Sequence, residues 1–145
     1  KENREIPPLK YARVLAVKNK FPTLEVIVNG GITNFKQAKD FLKDLDGVMI
    51  GREAYQNPFF LNDVDKVFFN GTSRKKQRED YLLEYISYIR KELQLGTPLK
   101  HMTRHVLGLF KGEAGGKKFR RHLTENSIRK NAGIEVIEEA LQFVR

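Results

Sequence analysis

Two short apolar runs that each end in glycine most constrain how this chain of 145 residues can fold. The first is Val26-Ile27-Val28-Asn29-Gly30-Gly31, and the second is Gly47-Val48-Met49-Ile50-Gly51-Arg52. Runs of β-branched residues that stop at glycine are typical of buried parallel strands. Parallel strands that are neighbours in a sheet need a long crossover connection. The segment between the two runs therefore decides whether the runs can pair directly.

That intervening segment has the pattern of an amphipathic helix. Thr33 or Asn34 precedes it as a cap. Its apolar residues recur at the spacing of one helix face and are Phe35, Ala38, Phe41, Leu42 and Leu45. The sequence therefore predicts a strand, helix, strand unit whose two loops lie at one edge of a parallel sheet.

The two loops have the composition of an anion site. Gly30 and Gly31 permit positive φ and a close approach of backbone N–H groups, and we expect Gly51 to act in the same way. Arg52 adds a planar, permanently charged fork, with Asn29 beside it. In (β/α)₈ barrels a phosphate often binds at the loops after the last two strands. Either loop alone is ordinary turn chemistry, but the pair favours a phosphate site.

Several longer motifs carry a family resemblance. Asn29-Gly30-Gly31-Ile32 and residues 46–58 resemble the tRNA-dihydrouridine synthases. Residues 1–11, 103–110 and 118–126 are similar to the A subfamily in particular. The resemblance extends over essentially the whole chain, and it implies a flavin-dependent enzyme that reduces uridine in tRNA.

The resemblance implies a fold that is α/β plus all-α. A complete (β/α)₈ TIM barrel takes roughly 250 residues, so only its last two βα units fit here, followed by a C-terminal four-helix bundle-like domain. The chain also begins at Lys1 without a methionine. We therefore expect a C-terminal fragment, with residues 1–70 from the FMN-binding barrel and residues 71–145 forming a helical tRNA-binding domain.

The family's chemistry follows as an implication. FMN, reduced by NADPH, gives hydride to a uracil, and we expect the uridine to lie in the tRNA D-loop. The resemblance then implies that the phosphate of FMN is bound by Asn29, Gly30, Gly31, Gly51 and Arg52. The family uses a cysteine as general acid, and this chain has none, so we assign no catalytic residue and expect the fragment alone to be inactive.

The absence of cysteine also excludes disulfides and thiolate metal sites. His101 and His105 lack the acidic partner of a zincin helix, so we expect no metal. No apolar run approaches the ~20 residues that cross a bilayer, so we expect no membrane partner and a cytoplasmic protein. The oligomeric state stays open.

Positive charge is concentrated in the second half of the chain. Residues 71–145 contain 16 Lys and Arg against 9 Asp and Glu, a net charge of +7 within the total of +9. Asn70-Gly71-Thr72-Ser73 has the composition of a linker, which predicts a boundary near residue 71.

Beyond that boundary the sequence predicts four helices and no strand. Gly96 ends the first, and Thr97-Pro98 caps the second. Ile128 does not continue the apolar edge of the third helix, which we expect to end near Asn126-Ser127. The predicted apolar positions are Leu82, Tyr85, Ile86, Ile89 and Leu93, then Met102, Val106, Leu109 and Phe110, then Phe119 and Leu123, and finally Ile134, Ile137, Leu141 and Val144.

Basic residues surround the apolar edge of the third helix beside the glycine-rich segment 112–116. Charge alone fits a nucleic-acid interface and a solvated helix face equally well. The resemblance favours tRNA, and it carries the A subfamily's four cationic positions onto Lys1, Arg4, Lys117 and Arg120. Position 117 is lysine where relatives often have arginine, which keeps the charge but loses the planar fork.

Two other classes of protein remain possible at this point. The chain could belong to another FMN-dependent barrel oxidoreductase that acts on a small molecule, with the basic helices as an oligomer interface. It could also be a stand-alone RNA-binding module without a redox role. Salt-dependent affinity for tRNA separates the first from a synthase, and flavin affinity separates the second.

Overall fold

A computed structural model describes residues 8–71 and 76–144. The chain forms two compact units, Lys1–Glu53 and Ala54–Arg145. We describe each unit by itself.

The first unit contains a small parallel sheet. Its elements are helix α1 (Tyr11–Lys20), strand β1 (Ile27–Asn29), helix α2 (Phe35–Phe41) and strand β2 (Gly47–Met49). β1 and β2 pair in parallel, with Val28 opposite Val48 and Asn29 opposite Met49. The predicted strand, helix, strand unit is therefore confirmed, although each strand has only three residues.

The sheet buries one face more than the other. Val28 is buried together with Ala38 of α2 and Leu45. Ile27 and Met49 are 55% and 47% exposed. The prediction of buried strands is thus correct for one face only, because the described residues of this unit cover only one side of the two-stranded sheet.

The second unit is helical. It contains a 3₁₀ helix (Pro58–Asp63) and helices α4 (Val64–Phe68), α5 (Arg78–Gln94), α6 (Leu99–Thr103), α7 (Gly116–Asn126) and α8 (Glu135–Leu141), while helix α3 (Arg52–Gln56) spans the division between the units. Within the described part of the chain after residue 71 there are four α-helices and no strand, as predicted. The predicted extent of the second is wrong, because α6 ends at Thr103 and Val106, Leu109 and Phe110 lie in the turns that follow it.

One apolar core joins the helices of the second unit. Its fully buried side chains are Phe119, Leu82, Ile89, Leu99, Leu123 and Ile137. The rings of Phe110 and Phe119 lie 4.7 Å apart, which confirms them as core aromatics. α7 ends at Asn126 as predicted, and Ile128 is 66% exposed, so it does not continue the buried edge.

The helix ends test the predicted caps. The Asn34 side chain accepts a hydrogen bond of 2.9 Å from the Gln37 N–H and caps α2. After α5, Gly96 takes a φ of +86°, as a helix-ending glycine does. The predicted Thr97 cap is wrong, because its hydroxyl donates instead to Glu92 at 2.8 Å and Pro98 is the residue before α6.

The second unit begins before the predicted boundary near residue 71. The Tyr55 hydroxyl lies 3.2 Å from His105 Nδ1, and the Tyr81 hydroxyl donates to Asn62 at 2.7 Å. Phe59 also packs against the helical core. Compactness therefore divides the chain within α3, while the boundary at residue 71 between barrel and helical domain stays a prediction.

Candidate phosphate loops and basic pocket

The register of the sheet brings the two predicted phosphate loops to one edge. Asn29 and Met49 are partners at the ends of parallel strands, so the chain leaves both strands on the same side. Asn29, Gly30 and Gly31 follow from β1, and Gly51 and Arg52 follow from β2. The five residues predicted to bind phosphate therefore share one edge, as the sequence pattern indicates.

Gly30 and Gly31 favour glycine because of their backbone angles. Their φ angles of +118° and +66° disfavour any residue with a side chain. A Cβ added at Gly30 would lie 2.8 Å from Leu9, and one at Gly31 would lie 2.6 Å from Leu9 and 2.8 Å from the Tyr11 hydroxyl. The backbone angles thus require glycine, whereas the ends of the Leu9 and Tyr11 side chains would only have to shift.

Gly51 does not play the same role, which corrects the prediction. The positive-φ glycines of the described chain do not include it. A Cβ there would lie 3.5 Å from the Met49 sulfur, at ordinary contact distance. The second loop therefore depends on glycine less than the first.

Tyr11 positions the first loop and was not predicted. Its hydroxyl donates a hydrogen bond of 2.7 Å to the carbonyl oxygen of Gly30. Since the peptide bond is trans and planar, the N–H of Gly31 points away from Tyr11. This places a donor of fixed direction in the exposed loop. The sequence indicated this residue only in that Tyr11 lies within residues 1–11, which are similar to the family.

Arg52 is exposed and is the first residue of α3. Because α3 has only five residues, the helix dipole at its amino end attracts an anion only weakly. The guanidinium of Arg52 therefore supplies most of the positive charge of the second loop. An exposed turn with directed N–H groups and an arginine can hold a phosphate monoester. The loops therefore fit the phosphate end of a cofactor.

The second candidate site is a basic pocket on the helical unit. Lys117 and Arg120 are exposed and three residues apart on α7, so they lie on one face. Both line an open cavity of about 460 Å³. Neither side chain forms an ion pair with another residue of the described ranges. The other predicted RNA-binding residues, Lys1 and Arg4, lie outside the described residues.

The remaining cations of α7 are not equivalent. Lys118 is exposed and lines the same cavity. Arg121 instead forms an ion pair of 2.8 Å with Glu125, one turn along the helix. The hydrogen bond to Glu125 raises the pKa of Arg121 further above its ordinary value. Arg121 thus has a carboxylate partner one turn away on the same helix.

The glycines before and at the start of α7 mainly allow close packing against other backbone segments. A Cβ at Gly115 would collide with the carbonyl oxygen of Phe143, and one at Gly116 would collide with that of Phe110. Gly112, with a φ of +87°, has open space where a Cβ would lie. Of these three glycines, Gly112 alone therefore borders open space, while Gly115 and Gly116 are packed against backbone.

The histidines have local partners. His105 contacts Tyr55, and His122 Nε2 lies 3.1 Å from Glu139 in an orientation that makes no hydrogen bond. Among the residues that the structure describes, no group of three His, Asp or Glu side chains is placed to hold a metal ion. The described helices include none with the length and apolar character needed to cross a membrane.

Comparison with known proteins assigns the family. The family model for dihydrouridine synthase (Dus) matches residues 1–145. The tRNA-dihydrouridine(20/20a) synthase of Vibrio cholerae is 51% identical over 141 residues, which are 97% of this chain and 43% of the relative. The Shewanella oneidensis enzyme of the same name is 49% identical over 145 residues, 100% of this chain and 43% of the relative.

A third relative agrees. The tRNA-dihydrouridine(20/20a) synthase of Escherichia coli K12 is 47% identical over 144 residues, covering 99% of this chain and 42% of the relative. The chain thus spans less than half the length of these relatives. Since the family model matches it from residue 1 to residue 145, the chain belongs to the dihydrouridine synthase family.

Proposed function

We propose that this chain works as part of an enzyme that reduces uridines 20 and 20a of tRNA to dihydrouridine. The observation that carries the proposal is the match of the family model over residues 1–145, in a chain that also has an edge suited to a phosphate and a basic pocket on its helical unit. The names of the relatives supply the positions 20 and 20a. These positions agree with the D-loop location expected from the sequence.

The fold has a corresponding interpretation. β1, α2 and β2, with the short α3, are the last two βα units of a (β/α)₈ barrel. The helices after residue 71 form the bundle-like domain that binds tRNA. Ile27 and Met49, which are exposed here, then face the remainder of the barrel.

The loops fit FMN at its phosphate. Gly31 directs its N–H away from Tyr11, and Arg52 supplies a charged fork, while Asn29, Gly30 and Gly51 complete the edge. The chemistry that FMN supplies when bound is hydride transfer to a uracil, with NADPH as the source of electrons. The residues of this chain hold and orient the cofactor, and they include no cysteine to act as general acid.

The basic pocket holds the RNA. A uridine in folded tRNA must leave its stack before it can be reduced, at a cost of a few kcal/mol. Phosphate contacts from Lys117 and Arg120, together with Lys1 and Arg4, offset that cost. We expect an enzyme that acts on tRNA to work in the cytoplasm.

The alternative of a small-molecule oxidoreductase is not favoured. The three relatives compared above are all named as tRNA-modifying enzymes. A stand-alone RNA-binding module is also disfavoured, because the phosphate loops would then have no role.

A chimaera tests the proposal directly. This chain replaces its aligned segment in the Escherichia coli relative, in cells that lack that relative. We expect dihydrouridine to return at positions 20 and 20a, measured by mass spectrometry of purified tRNA. The paired substitutions Lys117→Ala and Arg120→Ala reduce it strongly, whereas Lys100→Ala, an exposed residue of α6, does not.

One result of the chimaera experiment would contradict the proposed function. If the chimaera accumulates as a folded, flavin-bound protein and leaves both positions unmodified, the proposed function is wrong. Modification that is unaffected by the paired substitutions would remove the assigned roles of Lys117 and Arg120 alone.

A further inference from the structure

We propose that a second pocket of the helical unit, lined by aromatic side chains, binds one unstacked nucleobase of the tRNA. This inference rests on the proposed function, because the partner is the same tRNA. It adds a contact to a base, whereas the basic pocket supplies contacts to phosphates. The residues that define this aromatic pocket include Phe59, Asn62, Tyr81, Tyr85, His105 and Leu109.

The aromatic pocket is formed by three segments that all belong to the second unit, namely the 3₁₀ helix, α5 and the turns after α6. Leu109 is buried, and Phe59 and Tyr85 are half-buried. Tyr81 and His105 are exposed. The cavity therefore has an apolar floor, and two rings stand at its mouth.

The size of the cavity suits a single ring system. Its volume is about 240 Å³. Pockets that enclose a drug-sized ligand are larger, at roughly 300 to 1,000 Å³. Proteins recognise single-stranded RNA by unstacked bases that lie against the rings of Phe, Tyr or His. The rings that line this cavity are of those types and are Phe59, Tyr81, Tyr85 and His105.

The charge of the lining distinguishes a base from a phosphate. Among the described residues that line the cavity, none is Lys, Arg, Asp or Glu. A phosphate would therefore have no permanent cation to pair with there, whereas a neutral base needs none. The aromatic pocket and the basic pocket are thus suited to different parts of one RNA.

Polar groups of the lining favour a base over an apolar side chain of another protein. Asn62 Oδ1 accepts the Tyr81 hydroxyl at 2.7 Å, but Asn62 Nδ2 reaches Asp63 only at 3.5 Å, the outer limit of a hydrogen bond. His105 Nδ1 lies 3.2 Å from the Tyr55 hydroxyl, and within the described ranges its Nε2 has no hydrogen bond or ion pair. An amide donor and a ring nitrogen can pair with the polar edge of a base, whereas an apolar group would leave them unpaired.

The first test measures binding of an unmodified tRNA transcript to the full chain across a salt series. Tyr81→Leu removes the ring, and the matched variant Tyr81→Phe keeps it. Loss of a contact between a base and a ring weakens binding about fivefold or more. The salt slope stays unchanged, because no phosphate contact is lost. Tyr81→Phe retains the affinity of the unsubstituted chain.

Two further variants place the effect in the pocket. His105→Leu removes the other ring at the mouth, and we expect a loss of similar size. Phe69→Leu removes an exposed ring of the same unit that does not line the cavity, and we expect no loss. Circular dichroism checks that each variant remains folded.

The second test separates a base from its sugar and phosphate. The chain is titrated with adenosine monophosphate and, as the matched ligand without a base, with ribose 5-phosphate. We expect the NMR signals of the Tyr81 and His105 rings to move with the nucleotide and to stay in place with the sugar phosphate.

The outcomes distinguish this inference from the function on which it rests. If the chain binds tRNA and Tyr81→Leu binds it equally well, the aromatic pocket does not hold a base, and the proposed function stands. The same conclusion follows if ribose 5-phosphate moves the ring signals as far as the nucleotide does. If the unsubstituted chain does not bind tRNA, both the inference and the proposed function are wrong.

Discussion

At the scale of single residues, glycine serves two different purposes in this chain. Gly30 is required by its backbone angle, since the end of the Leu9 side chain beside it can shift. Gly115 is required chiefly because the backbone of Phe143 passes beside it. Gly112 is required only by its angle. The sequence predicts a turn at each, but not the reason, because Phe143 is far from Gly115 along the chain.

The difference predicts unequal costs of substitution. Gly112→Ala places an alanine at positive φ in open space, which costs about 1 to 2 kcal/mol. Gly115→Ala adds a collision with the Phe143 carbonyl, so we expect a loss of more than about 3 kcal/mol. Urea denaturation followed by circular dichroism measures both free energies of unfolding.

Gly112→Ala is the matched control, since both glycines have similar φ angles of +87° and +75°. Equal losses in the two variants would show that backbone angle alone accounts for Gly115, and that the packing against Phe143 contributes nothing.

Tyr11 illustrates what residue types alone do not reveal. Its hydroxyl fixes the Gly30 carbonyl across nineteen positions of sequence. Nothing in the local pattern around Tyr11 indicates this contact, because it depends on how α1 packs beside β1. A site residue of this kind is found from the fold, whereas Asn29 and Gly31 are found from the strand ends.

At the scale of elements, one ion pair joins the last turn of α1 to the residue before β2. Lys18 donates to the carbonyl oxygens of Pro22 and Leu24 at 3.0 and 2.9 Å, and it pairs with Asp46 at 2.8 Å. Asp46 also accepts the Val26 N–H at 2.7 Å. The Lys18 side chain and the Val26 N–H, in that order, lower the pKa of Asp46 below its ordinary value of 3.8.

The lowered pKa predicts how stability depends on pH. Because the folded state favours the charged form of Asp46, its contribution is present above pH 3.8 and is lost as the pH falls through the lower folded value. We expect Lys18→Met to raise the pKa of Asp46, since methionine keeps the stem and removes the charge. Titration of the Asp46 carboxyl carbon by NMR measures this.

Lys43→Met is the matched control, because Lys43 pairs with Asp40 and not with Asp46. An unchanged pKa of Asp46 in Lys18→Met would contradict the assigned role of this ion pair.

Element prediction succeeded where the apolar period was regular. α5 and α7 follow from their buried stripes, and the parallel pairing follows from two strands separated by one helix. Residues 58–68 were not predicted to be helical, because a 3₁₀ helix and a short α-helix there leave no regular stripe. Thr97 was predicted as a cap, but Glu92 competes for its hydroxyl.

At the scale of the whole molecule, the total positive charge is readable from the sequence, but the availability of each cation is not. Arg121 is paired with Glu125, and Arg78 with Glu113. Lys117 and Arg120 line a cavity instead. These differences arise from helix faces and loop packing, so a count of basic residues predicts a nucleic-acid partner without identifying its contacts.

We propose that this chain supplies the tRNA-binding surface of a dihydrouridine synthase. The most direct measurement is binding of an unmodified tRNA transcript across a salt series, for the chain and for Lys117→Ala and Arg120→Ala. We expect a dissociation constant that is roughly micromolar or tighter at low salt and rises steeply with salt. Each substitution weakens binding and lowers the salt slope by about one.

The contrary result is equally clear. Absence of binding at low salt, or affinities and salt slopes that are identical in the unsubstituted chain and in both variants, would contradict the assignment of this pocket to tRNA.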